Sequence, residues 1–170
     1  METNVPTHHL NAVVQQITNN TTSWIGQHNG EKANRISGQT FTCPTEGDLD
    51  CIEVLSTHVA HKGAVDLSIH TFNPENRCWG PELGSSTVEF NRSNTGKWIS
   101  FPLKGLHLQK GMTYAFRLKS ENALVGVGEA AGSVNHKSFN VGQEWVSTSD
   151  EQPGYYFNYM SLAFKVDLRA

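Results

Sequence analysis

The sequence predicts an all-β chain folded as a two-sheet antiparallel sandwich, and three observations carry that expectation. First, the last segment alternates Met160, Leu162, Phe164, Val166 and Leu168 with Ser161, Ala163, Lys165, Asp167 and Arg169. That period of two puts one face in a core and the other in water. Second, the same period recurs at Tyr114, Phe116 and Leu118 and again at Val65, Leu67 and Ile69. Third, clusters of Gly, Pro, Asn and Asp separate these segments at the short intervals of an all-β domain.

Taken in chain order, residues 1–34 read as a polar N-terminal extension rich in Asn, Thr and Gln. Within it, Leu10, Val13, Val14 and Ile17 stand at helical spacing and predict one short amphipathic helix. Residues 35–170 form the predicted sandwich domain, with strands expected at 37–43, 51–59, 65–69, 87–90, 97–103, 113–119, 124–128, 155–159 and 160–168. About nine strands suffice for two packed sheets. If Ile99 and Phe101 face the core, alternation sends Trp98 to the opposite face.

Length and composition restrict function. With 170 residues the chain supports one sizeable core. Charged residues make up 17%, below the ~25% usual in soluble domains, a deficit that suits a secreted β protein. A net charge of -3, with no dense Lys/Arg run, argues against a nucleic-acid partner. No apolar run approaches the ~20 residues that span a bilayer. Met1 to Leu10 lacks the charged-then-apolar pattern of a signal peptide, so that either a signal was removed or the protein stays inside.

Three cysteines, Cys43, Cys51 and Cys78, cannot all pair within one chain. The turn-rich stretch from Pro44 to Asp48 could bring Cys43 and Cys51 together as a disulfide. Two free thiols are the alternative, since a bridge also requires an oxidising compartment. Cys78 reads as an unpaired thiol, with no His or acid placed beside it by a motif.

The order of segments carries a resemblance. Gly38-Gln39-Thr40-Phe41-Thr42 leads through a Gly/Asp turn to Ile52-Glu53-Val54 and Val65-Asp66-Leu67-Ser68-Ile69. Then follow Gly96-Lys97-Trp98-Ile99-Ser100-Phe101, the Leu-x-x-Gly-x-x-Tyr-x-Phe stretch from Leu108 to Phe116, and Leu162-Ala163-Phe164-Lys165-Val166. This order resembles the jelly-roll sandwich modules of bacterial secreted proteins, accessory or surface domains akin to carbohydrate-binding modules. The resemblance covers about residues 35–168 and is most specific from Leu108 to Phe116, where Gly111 serves a turn and Tyr114 and Phe116 a core. It implies ligand binding, often to glycans, and an extracellular or periplasmic place. It also implies a structural calcium ion held by loop oxygens, for which Asp48 and Asp50, with Glu46, sit in a suitable turn. The same acids would serve equally for turn hydrogen bonds.

A sugar site calls for flat aromatic faces that stack on pyranose C–H bonds beside polar groups that meet the hydroxyls. Trp79 in Asn76-Arg77-Cys78-Trp79-Gly80-Pro81, Trp145 after Gly142-Gln143-Glu144, and Tyr155 and Tyr156 after Pro153-Gly154 are the candidates. Burial is the competing role for each. His58 and His61 lack the further ligands of a zinc site, and no nucleophile elbow, phosphate loop or metalloprotease motif is present. Asn19, Asn20 and Asn91 begin glycosylation triplets. The expected function is therefore a non-catalytic binding module for carbohydrate or another surface ligand. One alternative is a structural or oligomerising domain of a surface or fibre protein. A small polysaccharide-active enzyme is a weaker alternative, one that demands a cleft holding two convergent ionisable groups.

Overall fold

The computed structural model describes residues 10–27, 33–133, 135–148 and 151–169. Thirteen strands follow one another: β1 (Leu10–Gln16), β2 (Thr21–Gly26), β3 (Arg35–Thr42), β4 (Gly47–His61), β5 (Gly63–Asn73), β6 (Cys78–Phe90) and β7 (Lys97–Leu108). Then come β8 (Thr113–Lys119), β9 (Leu124–Ala131), β10 (Glu144–Thr148), β11 (Glu151–Phe157), β12 (Met160–Leu162) and β13 (Phe164–Arg169). All the pairings are antiparallel. The ladder runs β1-β13-β4-β9-β2-β3-β8-β5-β6, with β7 on β4 and the β10–β11 hairpin on β3. One connected, curled sheet thus supplies both faces that a sandwich requires.

Alternation fills the core as expected. Val65, Leu67 and Ile69 of β5, Phe116 and Leu118 of β8, and Ile52 and Val54 of β4 are fully buried in one cluster with Phe41, Phe101 and Phe164. Gly111 adopts φ 81°, and Tyr114 accepts a hydrogen bond from the Gln109 amide at 2.8 Å, locking the turn that leads into β8. The segment expected as a single strand over 160–168 is two. At Ala163 the chain steps from β9 to β4: its amide donates to Gly128 and its carbonyl accepts from Leu55. Trp98 lies on the outer face, half-covered, with Lys165 Nζ 4.3 Å from its ring centre.

Two expectations are corrected. The predicted helix at Leu10 to Ile17 is a strand: β1 pairs with β13, and a register shift between Ala12 and Val14 breaks its alternation into a spacing that mimics a helix. β2 then pairs along β9, so residues 10–16 and 21–26 belong to the sheet. The Cys43–Cys51 disulfide is absent, and both cysteines are buried free thiols. Cys43 is held where the turn before β8 meets β3, its thiol donating to Thr45 O at 3.1 Å. Cys51 sits inside β4 between Asp167 and Pro102, and its thiol donates to Asp167 at 3.3 Å. The stretch before Leu10, with His8 and His9, lies outside the described residues.

Candidate functional site

Three of the four predicted aromatic residues meet. Trp79, at the start of β6, lies 5.0 Å from Trp145 of β10, and Phe72 of β5 presents its ring nearly perpendicular at 5.8 Å. Trp79 Nε1 donates to the Tyr156 hydroxyl at 3.0 Å, and that hydroxyl donates to Arg77 O at 3.2 Å. The Arg77 guanidinium stands 5.3 Å over the Tyr156 ring. Burial, more than any neighbouring charge, raises the Tyr156 hydroxyl above its ordinary range.

Gly38 of β3 makes this packing feasible. A Cβ there would lie 2.7 Å from Phe116 O and 3.1 Å from the Trp145 ring. Trp145 is only 2% exposed, so it serves as a floor and presents no face to solvent. Trp79 and Tyr156 are half-buried. Tyr155 points the other way, because alternate β11 residues face opposite sides, and it is 61% exposed.

Beside the cluster run two adjoining depressions that share Phe72, Pro74 and Thr113. One, of about 580 Å³, is bounded by Asn73, Asn76, Trp79 and Met112. The other, of about 390 Å³, is bounded by Phe139, Asn140, Gln143 and Asn158. Together they form a groove across one end of the fold, with apolar ring walls and an edge of side-chain amides. Part of this hydrogen-bonding capacity is used within the protein: Gln143 donates to Asn158, and Asn73 Oδ1 accepts from the Glu75 and Asn76 amides. Of the residues expected from the sequence, Trp79 lines one of these depressions. Sequence reasoning missed Phe72 and Phe139, which sit in segments that give no sign of facing a surface.

The predicted calcium ligands take protein partners. Asp48 accepts from His107 Nδ1 at 2.8 Å, while Asp50 accepts from Arg169 Nε at 3.2 Å. Glu46 lies 3.7 Å from His107 Nε2. The Asp48 hydrogen bond is the main cause holding the His107 imidazole above its ordinary range. Asp48 and Glu46 thus share His107, while Asp50 pairs with Arg169.

Two further groups of titratable residues escaped sequence reasoning. On the outer face of β4 and β13, ligand atoms of Cys51, Glu53 and Asp167 all lie within 4.8 Å of one another. A hydrogen bond with Asp167, and then burial, push Glu53 up to about 7, and burial pushes Cys51 up to about 12. The Cys51 thiol donates to Asp167, so the three side chains form a hydrogen-bonded cluster.

In the interior, Glu129 of β9 and Glu144 of β10 face each other and share a hydrogen bond. They are 6% and 1% exposed. Burial and then the Glu129 carboxyl push Glu144 up to about 10, while a hydrogen bond from Ser23 opposes the rise. The sequence signal was available: Val125, Val127 and Glu129 alternate inward, so the acid occupies a core position. Carboxyls in direct contact stand closer than the ~5 Å or more that glycoside hydrolysis requires.

No protein-family model matches the chain, and no curated protein matches it. Among solved structures, the chain is similar to one from Clostridium difficile comprising the cysteine protease and lectin-like domains of Cwp84, a surface layer associated protein. The TM-score is 0.51 at 13% identity, over 80% of this chain and 32% of that one. This chain spans less than a third of the length of that protein, and the likeness is one of fold.

Proposed function

We propose that this chain is a binding module of surface-associated type, extracellular or periplasmic, that takes a glycan in the groove beside Trp79. The continuous groove carries this reading: rings of Trp79, Phe72 and Phe139 form its walls, and Asn73, Asn76, Asn140, Gln143 and Asn158 supply the amides. Apolar faces beside amides match the two-sided character of a sugar ring, whose C–H bonds stack while its hydroxyls seek donors and acceptors. The lectin-like region named for the Clostridium difficile neighbour is in keeping with it.

The test is a glycan array followed by calorimetry on the best ligand. Asn76→Ala with Asn140→Ala removes groove amides without touching the aromatic packing, and should weaken binding at least tenfold. Tyr155→Ala, on the far side of β11, should leave it unchanged. Absence of binding to every glycan, or loss with Tyr155→Ala alone, would overturn the proposal.

A further inference from the structure

A second opening lies on the other side of the β10–β11 hairpin. β2 and β10 both reach the same edge of β3, at Arg35, which pairs with Gly26 of β2 and Thr148 of β10. β10 continues along β3 as far as Gln39, while β2 follows β9 instead. The two strands diverge and leave a slot of about 360 Å³ whose lining includes Ser23, Arg35, Glu129, Val146 and Tyr155.

Ser23 and Glu129 line the slot, and Ser37 and Glu144 lie behind them, joined to them by hydrogen bonds. Ser37 of β3 and Ser23 of β2 are hydrogen-bonded at 2.5 Å, and Ser23 in turn bonds Glu144, which contacts Glu129. All four residues are more than nine-tenths buried. Nearby buried amides are satisfied: Gln39 accepts from the Leu162 amide at 3.0 Å, and Gln16 donates to Thr18 O and Leu162 O. Glu144 differs. Its Oε2 is fully buried and has no hydrogen-bond partner among the described residues.

We propose that the inner end of this slot is a binding site for a hard divalent cation, with the Glu129 and Glu144 carboxylates as its charged ligands and the Ser23 and Ser37 hydroxyls beside them. A buried carboxyl oxygen without a partner is costly, and a cation taking the place of the proton the pair shares would remove that cost. The donors are oxygens alone, which selects calcium, magnesium or manganese over thiophilic metals. The slot opens the Glu129 and Ser23 side of the site to solvent. Uptake displaces the proton that the carboxyl pair holds, so binding releases about one proton per ion.

The full chain, stripped with chelator, is titrated separately with calcium, magnesium and manganese chloride by calorimetry in two buffers of different ionisation enthalpy. At least one ion should bind at one per chain with proton release, and should raise the melting temperature. Glu129→Gln with Glu144→Gln should abolish both effects, while Asp48→Asn with Asp50→Asn should preserve them. The proposal fails if no ion binds. It fails equally if uptake survives the Glu129/Glu144 change, or is lost in Asp48→Asn with Asp50→Asn or in Glu53→Gln. Should the Glu129/Glu144 variant not fold, manganese-soaked crystals of the native chain decide. An anomalous peak in coordination contact with Glu144 supports the site, and its absence there overturns it.

Discussion

Glu144→Gln, in chelator-treated protein, should stabilise the fold at neutral pH. With its proton affinity raised from 4.5 to about 10, Glu144 is neutral in the folded chain at pH 7 and ionised in the unfolded one. The folded state therefore binds more protons than the unfolded state across that interval, and stability falls as pH rises above 4.5. Between pH 4.5 and pH 7 this linkage amounts to about 3 kcal/mol, at 1.36 kcal/mol per pH unit. Gln keeps the shape, cannot ionise, and can donate its amide to Glu129. The variant should gain on the order of 2–3 kcal/mol at pH 7, less than about 1 kcal/mol at pH 5, and progressively more toward pH 8. Urea denaturation at four pH values between 5 and 8 measures the gap. A variant no more stable than the parent at pH 7, or a gap that does not widen with pH, would refute the assignment of a buried proton to this carboxyl pair.

Two further outcomes test the fold itself. Gly26→Ala should cost at least about 2 kcal/mol in urea denaturation, because Gly26 has φ 106° and a Cβ there would lie 1.9 Å from Ala123 O. A loss under about 0.5 kcal/mol would mean that the β2 end sits elsewhere. Thiol titration of the native chain should count one reactive cysteine, the exposed Cys78, and three after unfolding in denaturant, whereas one in denaturant would reveal a Cys43–Cys51 bridge.

Strands with clean alternation were legible in the sequence, because Val65, Leu67 and Ile69, or Tyr114, Phe116 and Leu118, each place apolar side chains on one face without interruption. β1 was not. Its bulge at Ala12–Val14 shifts the register, and its partner β13 lies some 150 positions along the chain, so the local pattern of Leu10, Val13, Val14 and Ile17 resembled a helical stripe. β10 was equally hidden, since Glu144 and Ser147 are buried polar residues that interrupt an apolar reading. For the site, loop composition singled out Trp79, but sequence could not decide which faces of Trp145 and Tyr156 their neighbours would cover. Only the pairing of Trp145 with Gly38 shows Trp145 to be a floor.

The hairpin of β10 and β11 explains how two binding regions fit on so small a chain. Trp145 pairs with Tyr156 on one of its faces, and Val146 pairs with Tyr155 on the other, two residues along from Glu144. The first face packs on Trp79 and backs the groove; the second borders the slot. On its inner edge the hairpin is held to the sheet by the β10–β3 ladder, and across the slot the Glu144 side chain bonds Ser23 of β2 and Glu129 of β9. A cation between Glu144 on β10 and Glu129 on β9 would replace the shared proton with a stronger tie. It would fix the hairpin from the slot side, and with it Trp145 behind Trp79, so that the Trp79 wall of the groove would be best ordered when the carboxyl pair is loaded.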